Sequence, residues 1–186
     1  MKTGEAVDRD LLRRAQAGEA EAFDLLVDRL TPLLYRTVRR LASDGAEAEA
    51  IVQEAWLRAW KHRKGLDPDR PALAWLSRIA VNAARDQWRK RRPLDFSDTG
   101  EAAEAQADER AGPELRLEEA EARTRLAQVV GRLRPEWRVV IALRYDGGLA
   151  YREIAEVLGI PVNTVRTHLH RAHAALQRHL EGVPDA

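Results

Sequence analysis

The 186-residue chain has no cysteine. Disulfides, thiolate metal sites and cysteine nucleophiles are therefore excluded, and the composition suits a reducing compartment. No apolar run approaches the roughly 18 residues of a membrane span. The first ten residues, MKTGEAVDRD, lack the apolar stretch of a secretory signal. These absences predict a cytoplasmic chain with no direct membrane insertion. Period-two apolar alternation is also missing throughout, so no strand is expected. Net charge is almost absent: +1 overall, which by itself gives no hint of a polyanionic partner.

The charge is present, but divided. Residues 1–92 carry 19 Lys/Arg against 14 Asp/Glu, a net of +5. Residues 93–121 carry 2 against 10, a net of −8, and residues 122–186 carry 10 against 6, a net of +4. Two basic blocks flank an acidic one, and each basic block can meet phosphate locally while the whole chain looks neutral.

Apolar spacing of three and four predicts an all-α chain. Asp8 is placed to cap a helix over Arg9–Ala17, with Gly18 as its stop. A second helix is expected from about Glu19 to Leu41, kinked at Pro32. A third follows from about Ala46 to His62, a Gly- and Pro-containing loop at 64–71, and a fourth from about Ala72 to Arg91. Apolar periodicity lapses over 94–113, which reads as a linker. Helices resume at about Glu114–Leu133, Pro135–Tyr145, Tyr151–Leu158 and Val162–Leu180. The expected architecture is two small helical domains, 1–92 and 122–186, joined by an acidic linker at 93–121.

The stretch from Tyr151 to Arg171 has the grammar of a helix-turn-helix. A short helix carries apolar Ile154, Ala155 and Leu158, and Gly159 can take the left-handed turn without strain. At 100° per residue, Val165, Leu169, Ala172 and Leu176 form one buried stripe of the last helix. Asn163, Arg166, Thr167, His170, Arg171 and Ala174 fall on the opposite half. Arg can be bidentate to guanine and Asn to adenine, so this face suits a major groove. His168 lies on the flank. His170 and His173 share a face, but without cysteine or an outward carboxylate pair no metal or other cofactor is expected.

Four motifs stand in order: Ala-Gln-Ala-Gly-Glu-Ala-Glu-Ala-Phe at 15–23, Val-Gln-Glu-Ala-Trp-Leu-Arg-Ala-Trp at 52–60, Trp-Leu-Ser-Arg-Ile-Ala-Val-Asn at 75–82, and Ile-Pro-Val-Asn-Thr-Val-Arg-Thr-His-Leu-His-Arg-Ala at 160–172. With them the chain resembles the extracytoplasmic-function (ECF) sigma factors of the sigma-70 family, in a sigma-2-like part from about Asp8 to Arg92 and a sigma-4-like part from about Arg125 to Leu180. The resemblance implies a transcription initiation factor with no catalytic residue and no small-molecule substrate. Its implied partners are core RNA polymerase, through the largest-subunit clamp and the flap, promoter DNA and an anti-sigma factor.

It implies residue roles as well. On the third helix, Gln53, Glu54, Leu57, Arg58 and Lys61 face away from the apolar side, and an outward Leu ringed by polar groups is a common contact pattern. This helix is expected to dock on the polymerase. Arg63, Lys64, Trp75, Arg78, Asn82, Arg85 and Arg89 are expected at the −10 element, where cations and aromatic faces suit an unpaired strand. Trp75 and Trp88 are expected first of all as core anchors. Asn163, Arg166, Thr167, His170 and Arg171 are expected at the −35 element.

The chain departs from the family pattern at Ala50, Ala72, Ala150, His168 and His173. Ala150 deprives the first helix-turn-helix helix of a side-chain cap, worth about 1 kcal/mol, although Glu153 remains. The two histidines reduce phosphate attraction at neutral pH and would make DNA binding weakly pH-sensitive. An autonomous helix-turn-helix regulator would need a dimerisation seam, and none is evident. An enzyme would need a nucleophile–base grouping, and none is found.

Overall fold

A computed structural model describes residues 9–91, 126 and 128–180. Every regular element among them is helical. The expected linker at 93–121 and the Asp8 cap lie outside the described residues.

Helix α1 (Arg9–Ala17) ends where expected, at Gly18 with φ +97°. Helix α2 (Ala20–Arg39) runs through Pro32. Helix α3 (Gly45–Lys61) begins one residue earlier than its apolar pattern suggests, because Asp44 caps it by accepting from the Glu47 N–H at 2.7 Å. A 3₁₀ turn (Arg63–Gly65) leads into the loop, and helix α4 spans Ala72–Arg91.

In the C-terminal part, helix α5 (Pro135–Ile141) is shorter than the expected 135–145. Its last turn widens to π geometry over Ala142–Asp146 before Gly148 turns the chain at φ +65°. Helices α6 (Tyr151–Leu158) and α7 (Val162–Leu180) follow, joined by Gly159 at φ +68°. Ala150 supplies no side-chain cap, yet the Glu153 carboxylate accepts from the Ala150 N–H at 2.6 Å. Half of a capping box therefore survives the missing hydroxyl.

Two apolar clusters hold the described residues together. The first is built on Leu12, Leu26, Leu34, Ile51, Leu66 and Leu76, all nearly inaccessible. Phe23 packs edge-on against Trp56 and Trp60, with ring centroids 5.6 and 5.0 Å away, and the Trp56 indole N–H donates to Thr31 Oγ1 at 2.9 Å. Edge-to-face pairs of this kind add about 0.5–1.5 kcal/mol beyond burial. The second cluster centres on Val140, Leu143, Ile154 and Val165.

The second cluster also takes in Leu41, just past the end of α2, and Val81 on α4. Helix α4 packs against α6, and α2 against the π-helical turn. Arg40 donates to both carboxylate oxygens of Asp146, and Arg70 pairs with Glu156. The two halves are thus closed on one another, an arrangement that the separate periodicities of the two halves do not reveal.

Candidate nucleic-acid interface

Helix α7 separates its buried stripe from the residues expected to face DNA as the 3.6-residue period requires. Val165, Leu169, Ala172 and Ala175 are buried, and Leu176 is half-buried. Asn163, Arg166, Thr167, His170 and Arg171 are all exposed. Before any ligand arrives, their polar groups have local partners: Arg166 donates to Asn163 Oδ1 at 3.1 Å, and the Thr167 hydroxyl donates to the Asn163 carbonyl at 3.0 Å. These weak local bonds can be exchanged for base edges at small net cost. His168 is half-buried on the flank with Nδ1 enclosed. His173 is exposed and lies 2.9 Å from the Tyr145 hydroxyl.

Helix α4 divides its circumference three ways. Ala74, Val81 and Trp88, spaced by seven, lie against the second cluster. Leu76, Ala80, Ala83 and Ala84 enter the first. Arg78, Asn82, Arg85 and Arg89 form the exposed stripe between. Asn82, Arg85, Asp86, Trp88 and Arg89 line a shallow recess on this helix. Trp75 is half-buried against the first cluster, and Trp88 touches both clusters. Both tryptophans therefore serve packing while remaining partly exposed.

The loop before α4 presents its two cations differently. Lys64 is exposed, whereas Arg63 is half-buried with its guanidinium 4.3 Å from the Trp60 ring centroid and donating to the Trp60 carbonyl at 2.9 Å. Arg63 is held by its own domain in this state.

On α3, Leu57 is 58% exposed. Gln53 and Lys61 are exposed beside it, and Glu54 and Arg58 are half-buried. Arg58 donates to Glu54 Oε1 and to Asp86 Oδ2, each at 2.7 Å, and so bridges α3 to α4. Hydrogen bonds from Arg58 first and Arg89 second hold the Asp86 carboxyl below its ordinary value. A depressed carboxylate stabilises above its ordinary value near 3.8 and stops doing so as pH falls through the lower folded value. The α3–α4 bridge is consequently constant across neutral pH. Asp86 was not among the expected site residues: it lies 28 residues from Arg58, and no local spacing signals that pairing.

At the closed seam, burial pushes the Arg138 guanidinium below the ordinary arginine range while the Glu47 charge on α3 opposes that shift. Among the described residues, no group of three His, Asp or Glu side chains could hold a metal ion, and no helix is long and apolar enough to cross a membrane.

Residues 26–93 match the Sigma-70 region 2 family and residues 123–176 the Sigma-70 region 4 family. The chain is 33% identical to the RNA polymerase sigma-H factor of Pseudomonas aeruginosa over 94% of both chains. It is 34% identical to the RNA polymerase sigma factor CnrH of Cupriavidus metallidurans, over 95% of this chain and 96% of that one. The solved structure of CnrH in complex with the cytosolic domain of CnrY is similar, with a TM-score of 0.70 over 95% of this chain and 98% of that one, at 32% identity. The sigma factor RpoE, in a co-crystal with the anti-sigma factor NepR from Bartonella quintana, shares the fold at 22% identity, with a TM-score of 0.72 over 87% of this chain and 98% of that one.

Proposed function

We propose a function from an established membership: this chain belongs to the ECF sigma factors of the sigma-70 family. It directs core RNA polymerase to specific promoters and assists strand opening at the start of transcription. The observation that carries this reading is the presence of both sigma-70 regions, in order, on one chain.

The division of labour follows from the surfaces. The N-terminal part, residues 1–92, binds polymerase and the −10 element. Exposed Leu57, with Gln53, Glu54, Arg58 and Lys61, forms the polymerase-docking face on α3. An exposed Leu among polar groups gains apolar burial on docking at little cost to the free protein. Lys64, Arg78, Asn82, Arg85 and Arg89, with Arg63 and the edge of Trp75, meet the unpaired strand at the −10 element. Phosphate attraction and base stacking both tolerate sequence variation there.

The C-terminal part, residues 122–186, reads the −35 duplex through Asn163, Arg166, Thr167, His170 and Arg171. The acidic segment 93–121 joins the two. The chain contributes no catalytic group and acts in the cytoplasm, where an anti-sigma factor covering these faces would hold it inactive.

The closed arrangement bears on the mechanism. Elements about 25 base pairs apart are separated by about 85 Å at 3.4 Å per step. A compact chain of this length has a radius of gyration of about 16 Å. Contact with both elements therefore requires α4 and α6 to separate, releasing Arg40 from Asp146 and Arg70 from Glu156.

A gel-retention assay tests the reading. The chain and core polymerase together should retain a promoter duplex that neither retains alone, and Leu57→Asp should abolish retention while leaving the thermal unfolding midpoint unchanged. Tight retention by the chain alone would favour an autonomous regulator instead.

A further inference from the structure

Helix α1 carries none of the surfaces described so far, yet it runs against the loop that precedes α4. The Gln16 side chain, half-buried, donates from Nε2 to the Leu66 carbonyl at 2.6 Å and approaches the Lys64 carbonyl at 3.4 Å. Leu66 is itself 1% exposed, so its side chain is anchored in the first cluster while its carbonyl is anchored to α1. Two residues on, Gly18 leaves room for the loop's arginine. A Cβ built there would stand 3.0 and 3.1 Å from Arg63 Nε and Nη2. At the other end of α1, Arg9 pairs with Asp69 at 3.4 Å, although both side chains are largely exposed and that contact is weak.

The loop's own bonds are short-range turns, and none of them accepts at the Lys64 or Leu66 carbonyl. The Gly65 N–H donates to the His62 carbonyl at 2.8 Å, Leu66 N–H to the Arg63 carbonyl at 3.0 Å and Arg70 N–H to the Asp67 carbonyl at 3.1 Å; the Asp69 N–H donates to Asp67 Oδ1 at 2.9 Å, and the Pro71 carbonyl accepts from Ala74 at 3.0 Å. Pro68 and Pro71 have no N–H to give. Two carbonyls turned toward one side-chain amide are therefore a principal restraint on how Lys64 and Gly65 are presented outward.

We propose that Gln16 is a positioning residue that holds the 63–71 loop in the shape that receives the unpaired −10 strand, with Gly18 as the gap that seats Arg63. The proposal rests on the sigma reading above and adds a residue from outside the expected DNA-binding set. The chemistry requires a donor of this length. Gln16→Met keeps length and neutrality but cannot donate, whereas Gln16→Lys restores a donor.

The test uses holoenzyme formed from core polymerase and the full chain, titrated with a fluorescein-labelled pool of single-stranded DNA. In parallel, amide hydrogen exchange is measured on the free chain at Gly65 and Leu66. Gln16→Met should weaken strand capture about fivefold, the scale of one lost neutral hydrogen bond, and should speed exchange at both amides. Gln16→Lys should restore slow exchange, a readout that its added charge does not mimic. Core affinity should be equal for all three proteins.

Unchanged capture or unchanged exchange in Gln16→Met overturns the proposal. So does an equal loss of core affinity, which would mark a merely structural role. If the wild-type holoenzyme captures no strand at all, the sigma reading fails instead. The exchange arm distinguishes that outcome, because it reports the loop's restraint without DNA.

Discussion

At the scale of single residues, the exposed face of α7 gives the most specific expectation. Arg171 is exposed and points away from the buried stripe of Val165, Leu169 and Ala172. Arg171→Ala should weaken binding to the preferred −35 duplex by about 1–3 kcal/mol if its guanidinium reads a base edge. Fluorescence anisotropy with holoenzyme on matched and mutated −35 duplexes measures this. A loss of equal size on every duplex would mark a phosphate contact.

The exposure of this face was legible in the sequence because helical period alone separates Asn163, Arg166, Thr167, His170 and Arg171 from the core stripe. Their local bonds were not, and neither was the seating of Arg63 on Trp60, which depends on the 3₁₀ turn that follows α3. Gln16 and Asp86 escaped because their partners are distant in sequence. One contacts carbonyls 48 and 50 residues away, and the other an arginine 28 residues away.

At the scale of elements, the helix-turn-helix depends on one backbone conformation. Gly159 sits at φ +68° with open space around a hypothetical Cβ, so a side chain there suffers backbone strain and no clash. Gly159→Ala should destabilise the chain by about 1–2 kcal/mol, measured by urea denaturation, without altering which duplex is preferred. A loss much larger than this would mean that the turn is packed more tightly than its geometry indicates.

Local signals located this turn, the end of α1 and most helix limits, because Gly, Pro and apolar spacing act over a few residues. They overran the end of α5, expected to continue to Tyr145. There the Ala142–Asp146 turn widens to π geometry, and Gly147 donates to the Ala142 carbonyl at 3.0 Å. Apolar period does not register that change because Val139, Val140 and Leu143 remain buried in either geometry. The start of α3 was also displaced, since the cap on Asp44 precedes the first apolar residue of the pattern.

At the scale of the whole molecule, the salient feature is closure. Leu41 and Val81 cross into the second cluster, and the Arg40–Asp146 pair, part-buried on both sides, spans residues 106 apart in sequence. Composition predicted two basic blocks, and helical periodicity predicted two helical units. Neither carries information about a seam whose two sides lie in different blocks.

If the chain reads both promoter elements, this seam opens on holoenzyme formation. The absence of native cysteine makes the test direct: dye pairs can be placed by Asp28→Cys and Ala174→Cys, both at exposed positions. Energy transfer should be high in the free protein and fall on adding core polymerase. It should also be lower in the free Arg40→Ala variant, where Asp146 loses its partner. Transfer unchanged by polymerase would mean that the closed form is the working form.

Beneath all three scales lies the claim that this chain confers promoter selectivity on RNA polymerase. Run-off transcription with purified core polymerase over a promoter library, with and without the chain, measures it most directly. Transcripts of defined length should appear from a subset of promoters only when the chain is present, and should be lost when the α3 and α7 faces are altered together. Transcription that is the same with and without the chain across the library would contradict it.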